Sequence, residues 1–423
     1  VSTDTRQLKP GTLFVALSGP HFDGHDFLGA AQAAGALGAV VRRGTPPNEG
    51  LILFEVEDTL VALGRLAHAR RGDIHGPVVA VTGSNGKTST RIMLAAALGT
   101  RYRTHATREN LNNLIGVPLT ILDAPEASEA LVVECGASIP GEVARLRHIV
   151  EPSVGVVTNV SEAHLEGFGD VNGVLREKAS LLDGVGSALV GMSPPALAAL
   201  AREHAGRVIT AGLSPEADVH PDRWKLDPAG HPELTFRGHT LRLPLAGRHQ
   251  AENAMLAVAL AVELELELEA VARALADVRL PHGRGELIEA GGIVVMHDAY
   301  NANPASLTAA LESARAMAGE RPLVVLVGSM LELGPRSPTL HEEAADRLVA
   351  AEPALIGAIG EFVPALKRHV RTLGARLVTA KDADALGRAI APRLGGGEFV
   401  LLKASRGMQL ERALAHVLHG REA

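Results

Sequence analysis

The sequence predicts an α/β protein of three domains. These are a small N-terminal α/β unit, a central mostly parallel sheet built around a Gly-rich turn, and a C-terminal Rossmann-like unit. Three observations lead there. The 423 residues exceed what one hydrophobic core organises. Short β-branched runs alternate with helix-length stretches, the pattern of parallel sheets covered by helices. The texture changes at the turn cluster Gly72-Asp73-Ile74-His75-Gly76-Pro77 and again near Gly283. The expected domains are therefore 1–75, 76–282 and 283–423.

In the first unit, 13–17 and 51–54 read as strands, and the stretches near 26–36 and from 58 to about 71 as helices. In the second, strands are expected at 78–82, 130–134, 154–158, 188–190 and 208–210. Residues 233–236 and 240–243 flank Arg237-Gly238-His239, which predicts a hairpin with a three-residue loop. Helices come next at 250–264 and 268–276, and the Glu/Leu alternation across 263–269 reads as a helix end and a solvated turn. The third unit offers strands at 293–296, 323–327, 355–359, 376–379 and 399–402, an open parallel sheet of the doubly wound kind.

Hydrophobic residues make up 46% of the chain and aromatics only 3%, so the cores must be Ala, Leu and Val. The net charge of −7 is spread without blocks, which gives no case for nucleic-acid or membrane-surface binding. No apolar run reaches about 18 residues, so no membrane insertion is expected. The opening residues do not read as a signal peptide. A single cysteine, Cys135, excludes an internal disulfide and fits a reducing compartment. A cytoplasmic monomer is expected.

The stretch 78–90 carries the most chemistry. A β-branched run feeds Gly83-Ser84-Asn85-Gly86-Lys87-Thr88-Ser89 and then a helical segment. Glycines there turn backbone N–H groups toward phosphates, and the helix N-terminus adds its dipole. Lys87 can reach outer phosphates and the Thr88 hydroxyl can hold Mg²⁺. Gly83 and Gly86 are closer together than the usual P-loop spacing, so a plain glycine turn opening a helix is the competing reading. Glu134 ends an apolar run, where strand ends of an open sheet line a ligand crevice; it would hold Mg²⁺ or cap the next helix. Thr158-Asn159 ends another strand and His164 lies just beyond it; a lone His is more often structural. Lys178 lies on the apolar face of a helical pattern, where lysines usually snorkel. Only seven of the 41 basic residues are lysine, and Lys87, Lys178 and Lys403 each fall in a motif. A chain that prefers Arg keeps Lys where a compact cation or a primary amine is needed, unless the bias is drift.

Together these motifs resemble the Mur ligases, ATP-dependent amide-forming ligases of peptidoglycan precursor synthesis. The resemblance spans nearly the whole chain. Thr3, Asp4 and Arg6, with 10–17 and 22–27, are similar to the N-terminal domain that receives a UDP-sugar. The shortened loop 82–88 matches the family's own phosphate loop. Asn112 and Asn113 lie in a segment similar to the one that contacts the substrate pyrophosphate, and His249 and Asn253 stand where the family packs adenine. Tyr300-Asn301-Ala302-Asn303-Pro304 resembles the signature of the branch that adds D-alanyl-D-alanine to UDP-N-acetylmuramoyl-tripeptide. The resemblance implies that Lys178 is carbamylated and shares a second Mg²⁺ with His164, while Thr88 and Glu134 serve the first. It implies that Arg284 reaches the ATP phosphates, that Asp298 holds the ribose, and that Lys403 and Arg406 face the site. An acyl-phosphate intermediate is expected.

The chain departs from the family pattern at Gln250, His297, Ala299, Ser329 and Ser180, none of them assigned to the chemistry. A sister ligase adding a single amino acid should carry a charged reader in place of 301–304. A folylpolyglutamate synthetase shares the fold, but the 4–27 region argues against it. A catalytically silent nucleotide-binding regulator would be expected to lack Lys87, Glu134 or Lys178, and all three are present.

Overall fold

A computed structural model describes residues 1–48 and 50–419. Each unit is organised by its own sheet. In the first, three parallel strands run in the order Leu13–Val15, Gly38–Arg42, Ile52–Val56. The middle strand was not expected. Its Gly-Ala-Val-Val core is short and sits among Ala and Gly, so periodicity does not mark it. The expected helix near 26–36 shrinks to Leu28–Ala33, entered through a 3₁₀ turn that Asp23 caps. Helix Thr59–Arg71 starts where Asp58 accepts the N–H groups of Leu60 and Val61. This helix joins two units. Its Leu63 is buried with Val15, Leu17 and Val40 on one side, and Ile115, Leu119 and Leu122 pack on the same cluster. Arg71 donates to the carbonyls of Val150 and Glu151, and Arg70 to that of Ala124.

The second unit holds six parallel strands in the order Arg207–Ala211, Ser187–Gly191, Val154–Val157, Val78–Thr82, Ala130–Glu134, Thr104–Ala106. Val78–Thr82 lies inside the sheet and is buried along its whole length, as a β-branched run with helices on both faces must be. The hairpin differs from expectation. His239 already pairs with Phe236, so the turn is only Arg237-Gly238, at φ 48° and 83°. Two left-handed residues make the tight turn that matches strand twist. Helix Arg248–Glu263 is buried over most of its length, in one cluster with Met93, Leu94, Ala97 and Leu98 of helix Lys87–Gly99.

The third sheet also has six strands: Glu286–Ala290, Ile293–His297, Phe399–Lys403, Leu323–Val327, Leu355–Ala358, Leu377–Thr379. Five are parallel as expected; the edge strand Glu286–Ala290 is antiparallel and was not read from the sequence. Its half-exposed Glu286, Ile288 and Ala290 alternate with exposed Leu287 and Glu289, which suits an edge. Among the described residues, no helix is long and apolar enough to cross a membrane.

Candidate active site

A cleft of about 700 Å³ opens at the C-terminal ends of the central strands and is closed on its far side by the third unit. Its floor is the Gly-rich turn. Gly83 has φ 148°, and a Cβ there would stand 1.9 Å from the Thr158 hydroxyl. Gly86 has φ 77°, and a Cβ would stand 2.5 Å from Asn253 Oδ1. Both positions therefore demand glycine. The turn is strapped from below. Ser84 N–H donates to the Asn159 carbonyl (2.9 Å), Asn85 N–H to Asn159 Oδ1 (3.1 Å), and the Thr158 hydroxyl to the Asn85 carbonyl (2.6 Å). Lys87 opens the helix and turns its ammonium back to the Gly83 carbonyl at 2.8 Å.

Thr88 and Glu134 meet as expected. The buried Glu134 accepts the Thr88 hydroxyl at 3.0 Å and the Asn112 amide at 2.9 Å. Arg91, one turn beyond Thr88, was missed. Its guanidinium is 5% exposed, and its Nε lies 3.4 Å from Glu134. A cation three residues after Thr88 on the same helix face was the available signal.

Lys178 is fully buried, and its Nζ has no hydrogen-bond partner. Its Nζ lies over the Phe168 ring, 5.7 Å from the centroid. Burial first, and then the Lys87 charge, push the amine down to about 7. An orphaned amine that is neutral near physiological pH is the form that can add CO₂, so the residue fits a carbamate. The neighbouring Glu177 caps the earlier helix Glu142–Val150, accepting the N–H groups of Gly141 and Val143 at 2.8 Å each. Among the described residues, no three His, Cys, Asp or Glu side chains gather to hold a metal ion. Any Mg²⁺ here would therefore draw further oxygens from phosphates or from a modified Lys178, which suits Thr88, Glu134 and His164 as partial donors. His164 lines the cleft, and its Nδ1 is bonded to Glu332 of the third unit.

The cleft lining includes Met192, Leu213, Leu256, Ala309 and Ala310, together with His249 and Asn253. Burial keeps the His249 imidazole below its usual range, and its Nδ1 has no partner. Asn253 donates to Gln250, the longer amide the sequence carries there, at 3.2 Å. Apolar side chains with a few polar groups among them suit a flat heterocycle.

The third unit supplies the opposite wall. Asp298 pairs with the buried Lys403 at 2.6 Å. The Arg284 guanidinium stacks on the Tyr300 ring at 3.9 Å. Asn301 is exposed and lines the cleft. The Asn303 amide is engaged at both ends. Oδ1 caps helix Pro304–Ala318 by accepting Ser306 N–H (2.9 Å), and Nδ2 donates to Asn85 Oδ1 (2.7 Å). It ties the two units together in place of presenting a free amide. Arg406 reaches the outer side of Tyr300 at 5.9 Å and pairs with Glu411, outside the cleft lining. Asn113 lines the cleft while its Oδ1 caps its own helix at Ile115 and Gly116. Thr3, Asp4 and Arg6 lie outside it, with the Asp4 carboxylate paired to Arg6 at 2.7 Å.

Comparisons with known proteins agree along the whole chain. Residues 1–71 match the Mur ligase family catalytic domain, 81–261 the Mur ligase middle domain, and 283–406 the Mur ligase glutamate ligase domain. A Bacillus subtilis (strain 168) protein named UDP-N-acetylmuramoyl-tripeptide–D-alanyl-D-alanine ligase is 34% identical, over 99% of this chain and 93% of its own length. The crystal structure of MurF from Acinetobacter baumannii superposes with a TM-score of 0.90 at 30% identity, covering 99% of this chain and 92% of that one. MurF ligase from Thermotoga maritima in complex with ADP gives 0.87 at 28% identity, covering 98% and 96%.

Proposed function

The chain belongs to the Mur ligase family, and from that premise we propose that it joins D-alanyl-D-alanine to UDP-N-acetylmuramoyl-tripeptide at the expense of ATP. It is an ATP-dependent amide-bond-forming ligase of peptidoglycan precursor synthesis. The observation that carries the chemistry is one cleft holding a strapped phosphate loop and the Thr88–Glu134 pair at 3.0 Å, with the partnerless amine of Lys178 buried outside its lining but within the field of Lys87.

The residues suit a two-step route. The terminal carboxylate of the tripeptide attacks the γ-phosphorus of ATP; ADP leaves and an acyl phosphate remains. The amine of the dipeptide then attacks the acyl carbon, the amine proton departs, and phosphate is expelled. Both steps bring anions together, so the protein's task is positioning and charge neutralisation. Lys87 would turn from the Gly83 carbonyl to the β- and γ-phosphates. Arg284 would meet the same phosphates from the third unit. His249, Asn253 and the apolar lining would hold adenine, and Asp298 the ribose. Mg²⁺, when bound, adds Lewis-acid charge neutralisation. Thr88 and Glu134 would hold one ion, and His164 with carbamylated Lys178 the other. The carbamate forms when the neutral amine attacks CO₂ and loses a proton. Tyr300 and Asn301 would read the dipeptide, and the unit of residues 1–71 would receive the UDP moiety.

The test is phosphate release with ATP and UDP-tripeptide, with D-Ala-D-Ala, single amino acids or neither added. Release that depends on the dipeptide supports the reading. Equal stimulation by a single amino acid would place the chain with the sister ligases, and no release at all would sink it.

A further inference from the structure

The loop after strand Leu323–Val327 leaves its own unit and lands on residues 162–166 of the central one. Three contacts hold it. The Glu332 carboxylate accepts His164 Nδ1–H, the Glu332 carbonyl accepts Glu166 N–H at 3.1 Å, and Arg336 pairs with Glu162 at 3.1 Å. The approach is close: a Cβ on Gly334 would stand 3.2 Å from the Glu166 Cα. Glu332 and His164 both sit in the left-handed region, at φ 64° and 54°. Non-glycine residues keep such backbones where the surroundings over-determine them. Here that backbone lets Glu332 aim its carbonyl and its carboxylate at the same segment. The His164 ring is fixed on its other side by an edge contact to Phe168, 6.5 Å between centroids at 83°.

We propose that Glu332 is the positioning residue for His164. It holds the imidazole proton on Nδ1, leaves Nε2 as the lone-pair nitrogen facing the cleft, and does so only while the third unit is docked. A carboxylate on the far nitrogen is what sets the tautomer, orientation and basicity of a metal-binding histidine. Ordinarily that partner lies in the same domain. Here it arrives from another, so docking of the units and readiness of His164 are one event. By linkage, an ion on His164 favours the docked state as much as docking favours the ion. This inference rests on the proposed role of His164 as an Mg²⁺ ligand.

Mn²⁺ with a non-hydrolysable ATP analogue probes it in the full-length enzyme. Mn²⁺ affinity is read from the free-ion paramagnetic resonance signal, histidine ligation from ¹⁴N coupling, and the KM for ATP separately. Glu332→Ala should weaken Mn²⁺ binding about tenfold and reduce the ¹⁴N coupling, with the ATP KM within about twofold of wild type. Glu332→Gln keeps an acceptor for Nδ1–H and should retain most of both signals. Unchanged Mn²⁺ affinity and coupling in Glu332→Ala, or equal losses in the Ala and Gln variants, would overturn the inference. His164→Ala separates the two ideas. If it leaves Mn²⁺ binding intact, the metal role of His164 fails and this proposal with it. If it loses binding while Glu332→Ala does not, only the role of Glu332 fails.

Discussion

Lys87 and Lys178 are two amines with opposite needs, the first lining the cleft and the second buried outside its lining. Lys87 must be a cation facing phosphate, and at rest it borrows a carbonyl of its own loop at 2.8 Å. Replacing it with Ala removes a charge from the transferring phosphoryl group, a loss of several kcal/mol in the barrier. Lys87→Ala should lose turnover with an unchanged circular dichroism spectrum and melting curve, and activity above about a tenth of wild type would refute its role. Lys178 must be neutral, and burial makes it so, at about 7. Its effect on stability has a definite sign. In the unfolded chain this amine holds its proton to about pH 10.4. Between the two values the unfolded state binds more protons, so folding stability gains as pH rises. In CO₂-free buffer, Lys178→Met should therefore be more stable than wild type at pH 7. That advantage should shrink by roughly 1.4 kcal/mol per pH unit toward pH 10. A pH-independent difference in denaturation midpoints would show that the amine is not desolvated. Activity of Lys178→Met should be near zero at every pH, and an Arg substitution that keeps full activity would count against the carbamate.

At the scale of elements, helix N-termini and strand ends do the positioning. Asn303 and Asn301 are two residues apart and do different work. Asn303 begins helix Pro304–Ala318 with a reciprocal cap and reaches Asn85 of the phosphate turn. Asn303→Ala should cost about 1 kcal/mol of stability and raise the ATP KM, because the turn loses a partner. Asn301 is exposed on the cleft wall. Asn301→Ala should leave stability within about 0.5 kcal/mol and raise the KM for D-Ala-D-Ala much more than that for ATP. Steady-state kinetics and thermal melts on the two variants check both expectations. If Asn301→Ala alters only the ATP KM, the dipeptide is read elsewhere.

Across the whole molecule, buried apolar clusters run between neighbouring units. Helix Thr59–Arg71 shares a core with both the first sheet and the central unit. The third unit meets the cleft through polar contacts such as Asn303–Asn85, Glu332–His164 and Arg336–Glu162, and its Ala302, Leu307 and Ala310 share a buried apolar cluster with Val157, Leu165 and Val190 of the central unit. Both junctions therefore include buried apolar contact, and the third unit adds polar ties at the cleft. Leu63→Ala, at a fully buried position, should destabilise by about 2–5 kcal/mol and lower the melting of the first two units together. Calorimetry in which only a small, separate transition moves would show that the first unit folds independently.

The sequence by itself determined the class of fold, the phosphate turn and the family. Val78–Thr82 and Ala130–Glu134 are legible because strands buried on both faces are continuous apolar runs, and the residues at their C-terminal ends fall at the crevice. Gly83 and Gly86 are legible because only glycine takes those backbones so close to Thr158 and Asn253. Edges and short strands were not legible. Thr104–Ala106 and Gly38–Arg42 take their hydrogen bonds from strands well away in the chain, Glu286–Ala290 pairs with the strand directly after it, and all three carry weak local periodicity. Only the tertiary structure decided how side chains are committed. The Asn303 amide is engaged by Asn85, 218 positions away. Arg91 stands on Glu134, and Glu332 on His164, 168 positions away. Pairings over such separations depend on how whole units dock, and no local propensity or spacing encodes them.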